Sequence, residues 1–322
     1  MTDPLWDPSV GDAELARLEQ ALAPLRHQAP LRALPPRRKP RWPYLAGAGV
    51  TLAAAAAVLL WARGGSPPPC ASTDGFRFQA TAGTPRCEGT AARAGWLPVG
   101  GWLETGAGDV AHLEVADIGS LDLAADSRLS LVATGPREHR LALAEGALHA
   151  KVNAPPRLFV IETPAATAID LGCEYDLAVG PDGSGTLRVR NGLVELAAGA
   201  RLTVVPMGAE ARIVAGSGPG LPWRSDAPFP LRDAVAAFDA GEPGALDQML
   251  RLAGPRDTMT LWNLLGRVDA DDRARVFAAI EAVVPIPAEL RGADVAAGDP
   301  IAIARLREPL EVYWLIPEMV DP

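Results

Sequence analysis

The chain has 322 residues, of which 48% are hydrophobic and 21% charged, and its formal net charge is −9 at pH 7. That length holds two or three small domains. The densest run of basic residues adjoins one apolar segment, no basic patch of a nucleic-acid-binding surface is visible elsewhere, and no direct nucleic-acid partner is expected.

Residues 1–41 read as a polar tail. Asp12 can cap a helix over residues 12–25, with Glu14 in its first turn. Leu15, Leu18, Leu22 and Leu25 recur at steps of three and four and form one apolar stripe. So short a helix is marginal alone in water and needs a surface to lie on. A partner protein and the lipid headgroups are both open as that surface, as is a frayed tail with no surface at all. Trp6 adds an aromatic side chain upstream. Pro30, Pro35, Pro36 and Pro40 then make a stiff spacer.

Arg37, Arg38, Lys39 and Arg41 lead into eighteen uncharged, mostly apolar residues, Tyr44–Trp61. A helix rises about 1.5 Å per residue, so a stretch of roughly 20 apolar residues crosses a bilayer core. Trp42, Tyr44 and Trp61 bracket the segment, as aromatic residues do at membrane interfaces. Residues 42–62 are therefore predicted to form one transmembrane helix in the lipid bilayer. A buried soluble helix is the other reading of such a run. The excess of Lys and Arg before it predicts a cytoplasmic N-terminus and an outer, C-terminal body. About 40 residues precede the apolar run, which predicts an uncleaved anchor rather than a signal peptide.

Residues 63–95 are rich in Gly, Pro, Ser and Thr and read as a linker. Cys70 and Cys87 fall within it, and an oxidising compartment favours a disulfide between them. Two free thiols are the alternative. Cys173, in the apolar run LGCEYDLAV, reads as a buried and inert core residue. No His/Cys spacing indicates a metal, and no cofactor is expected.

From residue 96 to 214 short alternating segments recur every eight to ten residues. They include HLEV at 112, RLSLV at 128, ALHAKV at 147, EYDLAV at 174 and ARIV at 211. Period-two patterning bounded by Gly, Pro, Asn and Asp predicts strands and tight turns, hence an all-β domain. Asn191-Gly192 reads as a two-residue hairpin turn, and Asp182-Gly183 as a hairpin tip. Residues 215–229, AGSGPGLPWRSDAPF, read as a second linker. Residues 230–322 then show helical spacing in about five segments. Asp257, Asp269 and Asp299 stand at N-cap positions, and Leu261, Trp262, Leu264, Leu265, Val276, Phe277 and Ile280 are candidate core residues.

Four histidines are present: His27 in the tail, His112 and His149 alternating with apolar residues in strands, and His139 in a polar turn. No nucleophile elbow, zinc-protease helix or phosphate loop accompanies them, so no enzymatic activity is expected. The acidic run at 269–272 lacks the glycine and the downstream glutamate of a calcium loop. Trp96 and Trp102, at the edge of the β region, are the few aromatics a sugar-binding face could use.

Four stretches of the β region carry a family pattern: AADSRLSL at 124, LALAEGALHAKV at 141, LFVIETPAATAIDLGCEYDLAV at 158 and TLRVRNGLVELA at 186. In order and spacing they resemble the FecR domain of iron-dicitrate sensors and anti-sigma regulators. Glu145-Gly146 stands where that family has a Gly-Glu turn, and Gly172-Cys173 where it has Gly-Thr. The tail pattern WDPSVGDAELARLEQALAPLR is similar to those of bacterial membrane proteins with this domain. The resemblance implies an all-β periplasmic sensor domain; with the predicted span and the helical spacing of residues 230–322, the expected architecture is that domain plus a C-terminal α-helical domain on one transmembrane tether in the bacterial inner membrane. It further implies signal transfer from an envelope protein or outer-membrane receptor to an extracytoplasmic-function sigma factor. Leu15, Leu18, Leu22 and Leu25 would be the sigma-facing residues. The tail is shorter than the multi-helix tails of better-known members, and the chain ends in helices where receptor-linked members carry a mixed α/β module. An envelope interaction protein with no sigma partner is the alternative.

Overall fold

The computed structural model describes residues 70–315 apart from Ser72. The tail stripe Leu15, Leu18, Leu22 and Leu25 lies outside the described residues, as do the interface aromatics Trp42, Tyr44 and Trp61. Among the described residues no helix is long and apolar enough to cross a membrane.

Among the described residues seventeen strands come first. They are β1 (Gly75–Ala82), β2 (Arg86–Cys87), β3 (Thr90–Ala91), β4 (Ala94–Pro98), β5 (Trp102–Thr105), β6 (Val110–Val115), β7 (Gly119–Leu123), β8 (Ser127–Gly135) and β9 (Glu138–Val152). They continue with β10 (Phe159–Glu162), β11 (Thr167–Asp170), β12 (Glu174–Val179), β13 (Gly185–Asn191), β14 (Leu193–Ala198), β15 (Arg201–Pro206), β16 (Ala209–Val214) and β17 (Gly218–Arg224). Six helices follow: α1 (Phe229–Asp239), α2 (Ala245–Leu252), α3 (Thr258–Leu265), α4 (Ala270–Val283), α5 (Gly292–Ala297) and α6 (Pro300–Leu315).

Pairing links all the strands, but it resolves into two sheets. Sheet A runs β4-β1-β6-β7-β9-β12-β13-β16-β17. Sheet B runs β3-β2-β5-β8-β9-β10-β11-β14-β15. Their shared member is β9, fifteen residues long. Its first half pairs with β8 and, in parallel, with β10. Its second half pairs with β7 and β12. The sequence shows two alternating segments here, RLALA and ALHAKV, and the chain makes them one strand that changes sheet at Gly146. Alternation sends Leu129, Leu131, Leu141, Leu143, Leu148, Tyr175, Leu177 and Leu187 inward, all at most 3% exposed.

Several expectations are corrected. Residues 63–95 are not all linker. GFRFQATA forms β1, whose Phe76, Phe78 and Ala80 point into the core, and it pairs with both β4 and β6. The Gly and Pro around it bound the strand rather than dissolve it. Residues 215–229 are not a linker either. Six of the seven residues of β17 are buried, and it closes one edge of sheet A. Pro219 and Pro222 are tolerated because an edge strand has one side with no ladder to fill. Asn191-Gly192 does not make a hairpin. β13 lies in sheet A and β14 in sheet B, so Gly192, at φ +77°, turns a corner between sheets. Asp182-Gly183 does sit at the tip joining β12 to β13. His139 is not in an exposed turn: it lies in β9, 6% exposed, with Nδ1 2.8 Å from Thr134 Oγ1 and burial lowering its pKa.

Cys70 and Cys87 are joined by a disulfide, with Cα atoms 6.3 Å apart and a sequence separation of 17. The bridge ties the entry of the described body to the β2 edge of sheet B, and the backbone carbonyl of Cys70 accepts from Trp96 N–H at 2.9 Å. Closing a loop of that length restricts the unfolded chain by about 3 kcal/mol. Cys70→Ser with Cys87→Ser is expected to lower unfolding stability by about that amount in urea titrations. A loss of a few tenths of a kcal/mol would show that the bridge restrains nothing the sheets do not already hold.

The helices cover one edge of each sheet. α3 lies on β15 and β17, and α1 on β17. The candidate core residues Leu261, Leu264, Leu265, Val276, Phe277 and Ile280 are buried, while Trp262 is half-buried and donates Nε1–H to Ile303 O at 2.8 Å. Asp269 caps α4 by accepting from Asp272 N–H at 3.0 Å. Asp299 accepts from Ile301 N–H at 3.0 Å, ahead of Pro300 at the start of α6. Asp257 precedes α3 without capping it, because its oxygens accept from Arg224 Nε and Gly254 N–H, each at 2.9 Å. The short helix α5 was not legible in the spacing, since six residues hold too little periodicity to register.

Candidate functional site

The outer face of sheet A carries a broad array of charge. Register explains it. Side chains at paired positions stand side by side across a sheet. One row therefore runs Gln79, His112, Asp122, His149, Asp176, Arg188 and Glu210 over seven consecutive strands. His112 Nδ1 lies 2.6 Å from Asp122 Oδ1, and His149 Nδ1 lies 2.9 Å from Asp176 Oδ1. Arg188 Nε is 3.5 Å from Glu210 Oε1. A second row, one pleat along, sets Arg77 against Glu114 at 3.4 Å and Lys151 against Glu174 at 3.7 Å. Glu174 also lies 3.5 Å from His149 Nε2. Arg190 Nε donates to Asp176 Oδ2 at 2.7 Å. Burial pushes the Asp176 carboxyl up, but the hydrogen bonds from Arg190 and His149 outweigh it and hold the group below the usual carboxylate range.

Both sequence-singled histidines, His112 and His149, thus sit on the outer face, each beside carboxylates. A His–Asp pair can also belong to a nucleophilic site, but a nucleophile within hydrogen-bond reach of the imidazole is then required. On this face the neighbours are Gln79, Lys151, Ser120, Thr186, arginines and carboxylates. Among the described residues no group of three or more His, Cys, Asp or Glu is arranged to hold a metal ion. The arrangement is a broad polar face of alternating charge. A shallow cavity of about 420 Å³ borders the row, floored by Val110, Ala124, Ala147, Ala178 and Thr186.

The third cysteine lies inside. Cys173 is 3% exposed, and its Sγ–H donates to Asp170 Oδ2 at 2.6 Å. Burial first, and then the charge of Asp170, pushes the thiol pKa well above its ordinary value. A thiol that stays protonated is a poor nucleophile. Burial also raises the pKa of Asp170, against the opposing hydrogen bonds from Cys173 and Gly172 N–H. The Tyr175 hydroxyl beside them is fully buried and has no hydrogen-bond partner among the described residues.

Residues 102–195, from the first residue of β5 into β14, match the family model described as FecR protein. Residues 102–195 are a FecR domain. The FecR domain contains the sheet-changing strand β9, the Cys173–Asp170 contact and most of the charged row. Its bounds are narrower than the folded body. β1 and β4, which pair into sheet A, precede it, and β15 to β17 follow it in the same two sheets. Two crystal structures from Parabacteroides distasonis, both provisionally assigned as an anti-sigma factor, are similar to parts of the chain. One is 18% identical with a TM-score of 0.35, covering 42% of this chain and 63% of that one. The other is 15% identical with a TM-score of 0.35, covering 46% of this chain and 73% of that one. No curated protein matches the chain.

Proposed function

We propose that this chain is a non-enzymatic regulator of the bacterial envelope, tethered in the inner membrane by residues 42–62. In this reading the FecR domain and the helices lie in the periplasm and receive a signal from an envelope protein or outer-membrane receptor. The tail helix over residues 12–25 engages an extracytoplasmic-function sigma factor through Leu15, Leu18, Leu22 and Leu25. The observation that carries the reading is the FecR domain placed after a basic cluster and an eighteen-residue apolar segment. The Cys70–Cys87 disulfide supports it, because such bridges persist in oxidising compartments such as the periplasm. The broad charged face of sheet A gives the outer body a surface on which a protein partner can dock.

The test is capture of the full chain from native membranes in mild detergent. A sigma factor is expected to co-purify with the parent chain and to be lost when Leu18 and Leu22 are both replaced by Asp. Transcripts controlled by that factor should change when residues 1–40 are removed. Failure to recover any sigma factor, together with an unchanged transcript profile, would overturn the sigma-factor reading. It would favour an envelope interaction protein in which the span is only an anchor.

A further inference from the structure

A groove of about 690 Å³ opens where the sheets meet the helices. Arg201 and Leu202 border it from the start of β15, Phe238 and Asp239 from the end of α1, and Gly266 and Arg267 from the residues after α3. The Arg267 side chain is 8% exposed. Its Nη2 donates to Thr203 Oγ1 at 2.5 Å, to Pro219 O at 2.9 Å and to Gly220 O at 3.1 Å. Its Nη1 stands 3.6 Å from Asp239 Oδ1, and its Nε has no hydrogen-bond partner among the described residues.

Asp239 offsets one of the positive charges at this corner. Both of its oxygens already accept from Leu221 N–H, at 3.1 and 3.0 Å. Arg201 adds a second guanidinium, exposed, with one bond from Nη1 to Ser217 O at 2.8 Å. Burial lowers the Arg267 pKa to about 10; Asp239 opposes the fall and Arg201 adds to it. The two cations thus sense each other in a groove whose lining holds one carboxylate, which leaves an excess of one positive charge. Beside them Leu202 is 47% exposed, a large apolar side chain with no cover, and Phe238 is half-buried.

Guanidinium groups bind carboxylates through charge-assisted hydrogen bonds, and small-ligand sites combine a few such groups with apolar lining. We propose that this groove binds a small organic anion, a carboxylate carrying a short apolar body. The carboxylate sits on Arg201 and Arg267, and the body covers Leu202 and Phe238. The assignment is independent of the tail and of any sigma factor.

Thermal unfolding of the full chain in lipid nanodiscs, with phenylacetate and orthophosphate as probes, tests it. Phenylacetate at a few times its Kd is expected to raise Tm by about 2–4 °C. Orthophosphate, lacking an apolar body, should give a smaller rise at the same concentration. The phenylacetate shift should vanish in Arg201→Gln, shrink in Leu202→Ser, and persist in Arg77→Gln on the far sheet face. No shift with phenylacetate, an equal shift with orthophosphate, or a full shift in Arg201→Gln would each overturn the proposal. None of these results bears on sigma-factor capture.

Discussion

Replacing Gly146 by alanine is expected to destabilise the folded body by about 4 kcal/mol, combining left-handed backbone strain with overpacking. Gly146 sits at the point where β9 leaves sheet B for sheet A, with φ at +96°. A Cβ there would stand 2.1 Å from Ser127 Oγ and 2.3 Å from Ser127 Cα. Ser127 cannot retreat. It is 2% exposed, its hydroxyl accepts from Ala147 N–H at 2.9 Å, and it donates to Ala125 O at 3.1 Å. The substitution therefore asks for either a shifted β8 or a lost crossing. Both sheets run through β9, so the cost falls on the whole sandwich rather than on one loop. Urea unfolding of the full chain, followed by tryptophan fluorescence, reads it. Gly135→Ala provides the comparison: a Cβ at that position meets nothing within 4 Å, and a change within about 0.5 kcal/mol is expected. Equal effects at the two sites would remove Gly146 from its role in the crossing.

The strands were legible because burial alternates with period two. In HLEV, SLDLA, EYDLAV and ARIV the alternate residues Leu113, Val115, Leu121, Leu123, Tyr175, Leu177, Val179, Ala211 and Ile213 turn inward, and each segment falls in a strand. β1 shows the same alternation in Phe76, Phe78 and Ala80, yet the Gly, Pro and Ser around it outweighed three apolar residues in a composition reading. β17 hides for a different reason. Two prolines and two glycines are loop chemistry by local rule, and only the sheet edge and the helices above it make GPGLPWR a buried strand. Sheet assignment was not legible at all. Asn191-Gly192 has the same local chemistry whether it reverses a hairpin or turns a corner, and the choice is made by pairing with β11 and β16, far along the chain. The charged row was invisible for the same reason. His112, Asp122, His149 and Asp176 are spread over 65 residues of sequence, and only the register sets them side by side. His139 was misread because a polar run, PREHR, looks like a turn, whereas Phe76 and the strand pairing bury the imidazole.

Replacing Asn263 by alanine is expected to cost about 3 kcal/mol, because it strands two buried backbone groups at once. β15 is the last strand of sheet B, and an edge strand leaves a row of N–H and C=O groups with no ladder. At Val204 the side chain of Asn263 takes the place of the missing strand. Its Oδ1 accepts from Val204 N–H at 2.8 Å and its Nδ2 donates to Val204 O at 3.0 Å. Nδ2 also donates to Met259 O at 2.9 Å within α3, which fixes the side chain before it reaches the sheet. Only an amide has both a donor and an acceptor in the required places. Asn263→Asp keeps the acceptor for Val204 N–H but sets a carboxylate against Val204 O. It should therefore be at least as damaging as alanine at neutral pH. Hydrogen exchange separates this from a general loss of packing: Val204 N–H should exchange faster in both variants, while amides of β9 change only by the global shift in stability. If Val204 keeps its protection in Asn263→Ala, packing of α3 alone closes the edge. Thr260 Oγ1, which donates to Pro222 O at 2.7 Å, and the buried Arg224–Asp257 pair anchor the same helix region to β17. The helices thus hold both sheet edges through directional polar contacts. A displacement of that block would have to break those contacts at β15 and β17 together.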